Sequence, residues 1–370
     1  MNKQEMKKWL EDIYDVSETA SYLNISEQSL YQLVNHHMLK PIKNGPSSML
    51  FYKSDLDDYL QQRRLDINQI FVRDAILYYT IQYYCQQSDK KALAFIEQIQ
   101  QLYGFDFHAG LKKNIPFLAG QFQMKEQEFY DSYLQIKKAF TLLPKDTYIF
   151  HQGDMSYPKQ LASVKDAPFY LFVKGKNELL YQQSICIVGS REPSIQAIEK
   201  TKQLARSFVK DGFVINAGLA KGIDTIVHQT VLENYGKTMA IIGTSLHECY
   251  PKDNQALQKQ IENDGLVVSQ FPPMQSIKRW HFPKRNATMS GLSIGTVIMD
   301  AREKSGTLIQ ADYALKQGRY VFIPEYLLDD KQLQWPYEYI KKGAYVFSQY
   351  EDILKIIQKG DDIACGNGQR

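Results

Sequence analysis

The chain has 370 residues, of which 44% are hydrophobic and 23% charged, an ordinary composition for a soluble globular protein. At ~150 residues per domain, that length predicts two or three domains. The formal net charge is +3, from 44 Lys+Arg against 41 Asp+Glu, which excludes a supercharged tail protein and an acidic disordered chain.

The N-terminus, MNKQEMKKWLEDIYD, has no apolar core of the kind a signal peptide needs. No apolar run is long enough to predict a membrane span. The four cysteines, Cys85, Cys186, Cys249 and Cys365, lie far apart without a C-x-x-C. That spacing argues against a disulfide framework or a structural zinc site. The expected location is therefore a reducing cytoplasm, and no metal, cofactor or membrane is expected. Charge is uneven along the chain. Residues 1–150 carry 17 Lys+Arg and 18 Asp+Glu, and residues 151–370 carry 27 and 23. The predicted divisions are a helix-turn-helix over 1–65, a helical connector over 66–148, an α/β domain over 149–358 and a disordered tail over 359–370.

In the first segment, Ser17 is expected to cap a short helix carrying Ala20 and Leu23. Asn24 and Ile25 make a turn, and Ser26 caps a second helix with Leu30, Leu33 and Val34 on one face. A Gly/Pro/Ser loop follows, then a short strand at Leu50–Tyr52 and a last helix capped by Ser54. The string V-S-E-T-A-x-x-L-x-I-S-x-x-S-L-Y-x-L, with F-Y-x-x-D-L-x-x-Y-L after it, resembles the excisionase/MerR-like winged helix-turn-helix modules. That resemblance implies a second helix in the major groove of duplex DNA. Its exposed residues would be Gln28, Ser29, Tyr31, Gln32 and Asn35, with Lys40 and Lys43 on the wing for phosphate. The alternative is a small helical domain for protein contacts, because the presumed recognition helix has no Arg or Lys.

Between 66 and 148 the residues Phe71, Ile76, Tyr79, Tyr83, Leu93, Ile96, Ile99, Leu102 and Tyr103 recur at helical spacing. Such a stripe predicts helix core rather than a stacking platform.

After about Phe150 the texture changes to short β-branched runs alternating with helical stretches, the pattern of a parallel sheet. Strands are predicted at Ser184–Val188, Phe213–Asn216, Thr238–Ile242, Leu266–Ser269, Ile294–Met299 and Tyr320–Ile323. The first ends in Gly189-Ser190-Arg191, and Ser194 opens a helix. The second ends in Ala217-Gly218-Leu219-Ala220-Lys221-Gly222. The fifth is followed by Lys304-Ser305-Gly306-Thr307. A strand that ends in a small turn and feeds a helix N-terminus favours anions. Three such turns at strand carboxyl ends point to one ligand crevice.

The stretch Gly265–Met299 contains no Asp or Glu. It holds Lys278, Arg279, Lys284 and Arg285 among Trp280, His281 and Phe282. Cations for a backbone and aromatic faces for bases are what sequence-tolerant single-strand binding requires. Asp224 and His228 stand i, i+4 on one helix and are read as structural, with no third catalytic partner.

The region from Asp154 to Leu354 resembles the DprA (Smf) family of DNA-processing proteins. The strings that carry the likeness are Y-P-x-x-L from Tyr157, I-V-G-S-R to Arg191, A-G-L-A-K-G-I-D-x-x-x-H from Ala217, Y-P-x-x-N from Tyr250, F-P-K-R-N-x-x-x-S-G-L-S from Phe282, K-S-G-T-L-I-x-A from Lys304 and G-R-Y-V-F-I-P from Gly318. The resemblance implies an extended Rossmann-like sheet with helices on both faces, and a homodimer. It implies binding of single-stranded DNA and its transfer to the RecA recombinase in transformation or recombination. By that match Gly189, Ser190, Arg191, Lys221, Lys284, Arg285 and Asn286 would line the phosphate-binding face, with Ser305, Gly306 and Thr307 adding a hydroxyl and backbone N–H groups. Gly218, Lys278 and Arg279 are further phosphate candidates, and Trp280 and Phe282 of the acid-free stretch are the candidates for base stacking. No enzyme activity is implied.

The chain departs from the family pattern in carrying Lys221 where arginine is usual. Ala287 and Thr288 follow Asn286 where R-I is usual. Its helix-turn-helix stands at the front rather than as a winged helix behind the sheet. A competing reading is a nucleotide sensor with a DNA-binding or defence output, since the fold resembles the group that includes the LOG phosphoribohydrolases. The P-G-G-x-G-T-x-x-E type motif of those enzymes is missing, because Leu308-Ile309-Gln310 follows Gly306-Thr307. A third reading is a duplex-specific regulator led by residues 14–64.

Overall fold

The computed structural model describes residues 12–23, 27, 30–31, 34, 39–45, 48–61, 70–154, 156–165, 167–303 and 305–366. The chain divides into two compact units. One holds residues up to Tyr157 with Phe169–Phe172 and Pro272–Gln275, and the other holds Pro158–Pro168, Val173–Phe271 and the chain from Ser276 onward.

The first unit begins with β1 (Ile13–Tyr14), α1 (Val16–Leu23), β2 (Lys43–Gly45), β3 (Ser48–Tyr52) and α2 (Lys53–Gln61). The three strands form an antiparallel sheet in the order β1-β3-β2. Leu23, Leu30, Val34, Leu39, Phe51, Leu56 and Tyr59 fill its core. The cap of α1 differs from the sequence expectation. The Asp15 carboxylate accepts from the Glu18 backbone N–H at 2.8 Å, and the Glu18 carboxylate accepts from that of Asp15 at 3.0 Å. This reciprocal box places the helix start before Ser17. Ser54 likewise lies inside α2 rather than ahead of it. Ser26, Gln28, Ser29, Gln32, Leu33 and Asn35 lie outside the described residues. Tyr31, Lys40 and Lys43 are exposed.

Four helices follow: α3 (Ile70–Tyr84), α4 (Asp89–Tyr103), α5 (Leu111–Gln121) and α6 (Glu126–Phe140). Their aromatic residues pack mainly on each other. Tyr84 stacks on Phe129 at 5.5 Å and Phe95 on Phe122 at 4.7 Å, and Tyr78 meets Phe169 at 4.6 Å. Ile76, Tyr79, Ile96 and Ile99 are core, but Tyr83, Leu102 and Tyr103 are exposed. The apolar stripe is therefore wider than the face these helices bury.

A nine-stranded sheet has the order β12-β11-β10-β6-β7-β8-β9-β5-β4. Its strands are β4 (Tyr148–His151), β5 (Tyr170–Gly175), β6 (Ser184–Val188), β7 (Val214–Ala217), β8 (Lys237–Ile242), β9 (Leu266–Ser269), β10 (Gly295–Ile298), β11 (Tyr320–Pro324) and β12 (Tyr345–Phe347). Every pairing from β12 through β9 is parallel. Strands β6 to β11 lie where sequence predicts them to within two residues, and β4, β5 and β12 were not foreseen. The helices in this part of the chain are α7 (Lys159–Ala162), α8 (Ile195–Lys210), α9 (Ile223–Glu233), α10 (Gln255–Asp264), α11 (His281–Gly291), α12 (Gly306–Lys316), α13 (Trp335–Lys341) and α14 (Tyr350–Gly366). The tail expected from 359 is helical as far as Gly366.

Ser194 caps α8 by accepting from the Ala197 N–H at 3.1 Å. That helix buries Ala197, Thr201, Leu204, Ala205 and Phe208, a single stripe at helical spacing. These apolar residues join Ile185, Ile187, Ile215, Val297 and Phe322 in one core. The order of strands matters for function. From β6 the chain adds β7, β8 and β9 on one side, then returns to lay β10, β11 and β12 on the other. The loops after β6 and β10 therefore lead away from each other, and a crevice opens between them. Among the described residues no helix is long and apolar enough to cross a membrane.

Candidate nucleic-acid interface

A cleft of about 490 Å³ lies at this switch point. Gly189, Ser190, Arg191 and Glu192 line it from the end of β6. Arg302, Ser305, Gly306 and Thr307 line it from the end of β10, and Phe282, Arg285, Asn286 and Met289 line it from α11. The parallel register of β6 and β10, with Val188 beside Ile298, sets the two loops at the same level. They are tied together there. The Thr307 hydroxyl donates to the Gly189 carbonyl at 3.1 Å, and the Ser194 N–H donates to the Asp300 carboxylate at 3.2 Å.

Glycine is required where backbones and side chains meet most closely. Gly222 sits at φ +75°, and a Cβ there would strike the Ser190–Arg191 backbone. The adjacent Ile223 N–H donates to the Ser190 carbonyl at 3.1 Å. The turn bearing Arg191 is thus braced on the start of α9. A methyl group at Gly218 would collide with the Arg285 guanidinium.

The N-terminus of α12 opens on the cleft through Ser305, Gly306 and Thr307. First-turn N–H groups have no partner within a helix, and the dipole there favours an anion. A Cβ at Gly306 would meet nothing within 4 Å, so a ligand has room against that backbone. The Ser305 hydroxyl makes no side-chain cap to α12. Arg191 is exposed at the mouth. This arrangement has the chemistry to hold phosphate.

Arg285 behaves differently from the expectation of a phosphate ligand. It is buried. Its Nη1 donates to the carbonyls of Gly218 and Ile241 at 2.5 and 2.6 Å, and its Nε donates to Asn286 Oδ1 at 3.1 Å. Burial lowers its pKa from the ordinary arginine value. Asp224 is also buried and accepts from the N–H groups of Gly218 and Ala220 at 3.0 and 3.2 Å. Burial raises its pKa, and the Arg285 charge opposes that rise. His228 Nδ1 lies 2.7 Å from the Thr238 hydroxyl, and burial, with Arg285 nearby, lowers its pKa to about 3. These groups brace the strand ends, and Arg285 and Asp224 form part of the cleft wall as they do so.

The other expected cations lie outside the cleft lining. Lys221 pairs with Asp253 at 2.5 Å on an exposed loop. Lys278, Arg279 and Trp280 are exposed just before α11. Lys284 stands over the Trp280 ring at 5.8 Å, and Trp280 is 45% exposed. Lys304 lies outside the described residues. Sequence reading passed over two residues here. Arg302 lines the cleft four positions after β10, hidden in a string read only for its K-S-G-T. Tyr250 is exposed and packs its ring 5.4 Å from Phe282.

Residues 148–358 match the family described as DNA recombination-mediator protein A. The chain belongs to that family. Residues 13–64 match a helix-turn-helix domain. The DNA processing protein DprA of Streptococcus pneumoniae (strain ATCC BAA-255 / R6) is 38% identical over 232 residues, 61% of this chain and 80% of that protein. The protein Smf of Escherichia coli (strain K12) is 34% identical over 205 residues, 55% of each. The solved structure of the Streptococcus pneumoniae DprA superposes with a TM-score of 0.62 at 30% identity, over 79% of this chain and 98% of that one. A structure giving insights into the single-stranded DNA binding mode of DNA processing protein A from Helicobacter pylori superposes with a TM-score of 0.50 at 26% identity, over 58% of this chain and 96% of that one. These likenesses support a DNA-processing role.

Proposed function

We propose that this chain binds single-stranded DNA at the switch-point cleft, protects it and passes it to a RecA-type recombinase, acting as a cytoplasmic homodimer in DNA uptake or recombination. The observation that carries the reading is the convergence of Arg191, the α12 N-terminus and the Gly189–Ser190 turn on one cleft. Backbone N–H groups, a helix dipole and a guanidinium recognise phosphate without regard to sequence. The exposed Lys278, Arg279 and Trp280, with the half-buried Lys284 over the Trp280 ring, supply further charge and a stacking face. The single-stranded DNA named for the Helicobacter pylori relative supports the same ligand. No enzymatic step is proposed.

Fluorescence anisotropy with oligo-dT at two salt concentrations tests this reading. Binding at low salt that weakens with salt is expected, with about a tenfold loss in Arg191→Ala. No binding at low salt, or no loss in Arg191→Ala, overturns it. The helix-turn-helix match favours a second contact, to duplex DNA, through residues 13–64. Its test is duplex binding that a Lys40→Ala/Lys43→Ala variant loses while oligo-dT binding persists. Mononucleotides added as competitors distinguish a nucleotide-sensing role, which would show as a large thermal shift without oligo-dT binding.

A further inference from the structure

We infer that Arg302 is a second phosphate-binding arginine of the cleft, with Glu192 as its internal competitor, so that a strand enters by exchanging one ion pair for another. The inference rests on the single-stranded DNA reading and deepens it. Arg191 follows β6 by three residues and Arg302 follows β10 by four. Because β6 and β10 are register-matched neighbours, the two arginines reach the same cleft from opposite lips. The α12 N-terminus opens into the same cleft. Of the three arginines lining it, Arg285 is buried and donates to backbone carbonyls. That leaves Arg191 and Arg302 as the exposed pair.

Arg302 is held by Glu192, Nη2 to Oε2 at 3.3 Å, with both side chains largely exposed. Exposed pairs of this kind contribute little and exchange readily. A phosphodiester offers the guanidinium two oxygens in a fork and places the negative charge nearer the α12 N-terminus. Glu192 then returns to water, where its charge is well solvated. The carboxylate thus lowers affinity for any anion in the cleft and does so through Arg302. A ligand without an anionic group cannot displace it.

The test is a double-mutant cycle on the full chain, read by anisotropy with oligo-dT at two salt concentrations, with thermal melts as a fold check. Arg302→Ala should weaken binding about tenfold and flatten the salt slope by ~0.7. Glu192→Gln should tighten binding about threefold. In the Arg302→Ala background the same Glu192→Gln change should have no effect. If wild type binds but Arg302→Ala binds equally well, Arg302 is not a ligand and the inference falls alone. An undiminished Glu192→Gln effect in the double variant overturns the competitor role. If wild type does not bind oligo-dT at low salt, the single-stranded DNA reading falls and takes this inference with it.

Discussion

Replacing Arg285 with alanine separates a fold-holding role from a ligand-holding one. The guanidinium is buried and donates to Gly218 O, Ile241 O and Asn286 Oδ1. Its removal leaves acceptors without donors, and leaves the buried Asp224 carboxylate without its strongest opposing charge. Breaking a buried charge arrangement from one side costs about 3–5 kcal/mol. For a domain of this size each kcal/mol lowers the melting temperature by about 2–4 °C, so a fall of roughly 6–20 °C is expected. The deficit should grow as pH rises through the carboxylate range. Without the cation, folded Asp224 holds its proton more tightly than unfolded Asp224, so the folded state binds more protons and stability falls with rising pH. Scanning calorimetry on the full chain between pH 4 and 7 reads both effects. A melting temperature within about 2 °C of wild type, joined to loss of oligo-dT binding, would refute the reasoning and return Arg285 to the phosphate face.

Two other outcomes follow from the same geometry. Trp280→Ala should leave the melting temperature unchanged, since the ring is nearly half exposed, while weakening oligo-dT binding by ~1–3 kcal/mol per stacked base in anisotropy titrations; equal affinity would remove the ring from the DNA path. His228, neutral in the core with a pKa lowered to about 3, binds its proton more readily when unfolded. Its stabilising contribution is therefore present above the unfolded pKa and lost as pH falls from about 6.5 towards 3, at up to about 1.4 kcal/mol per pH unit. Urea midpoints for His228→Gln should show a flatter acid limb, and an unchanged limb would contradict the assignment.

Much of this site was legible in sequence because its signals are local. A β-branched run ending in Gly-Ser-Arg, with a capping serine three residues beyond, specifies strand, turn and helix within a dozen residues, and β6, Ser194 and α8 form that way. Strands with weaker boundaries escaped notice. β12 is three residues long, and β5 ends at Gly175 with only a short 3-10 turn, Asn177–Tyr181, before β6. The aromatic stripe of the first unit misled in the opposite sense. Tyr83, Leu102 and Tyr103 keep helical spacing yet lie on the exposed side, because periodicity gives the width of an apolar face but not what is left to cover it.

The cations show why a one-dimensional reading of charge fails. In F-P-K-R-N, Lys284 and Arg285 look alike, yet one stands over an exposed tryptophan and the other is buried beneath Gly218. Helical phase separates them. α11 starts at His281, itself buried, and Arg285 follows at i+4 on the same inward face. Arg285 can be inside only because Gly218 has no Cβ and Asp224 stands nearby in the A-G-L-A-K-G-I-D string. The two motifs are therefore one structure: the glycine makes the room and the carboxylate balances the charge. A substitution at Gly218 should consequently resemble one at Arg285. Arg191 and Arg302, by contrast, are exposed at the cleft, and the carboxylate paired with Arg302, Glu192, is itself exposed.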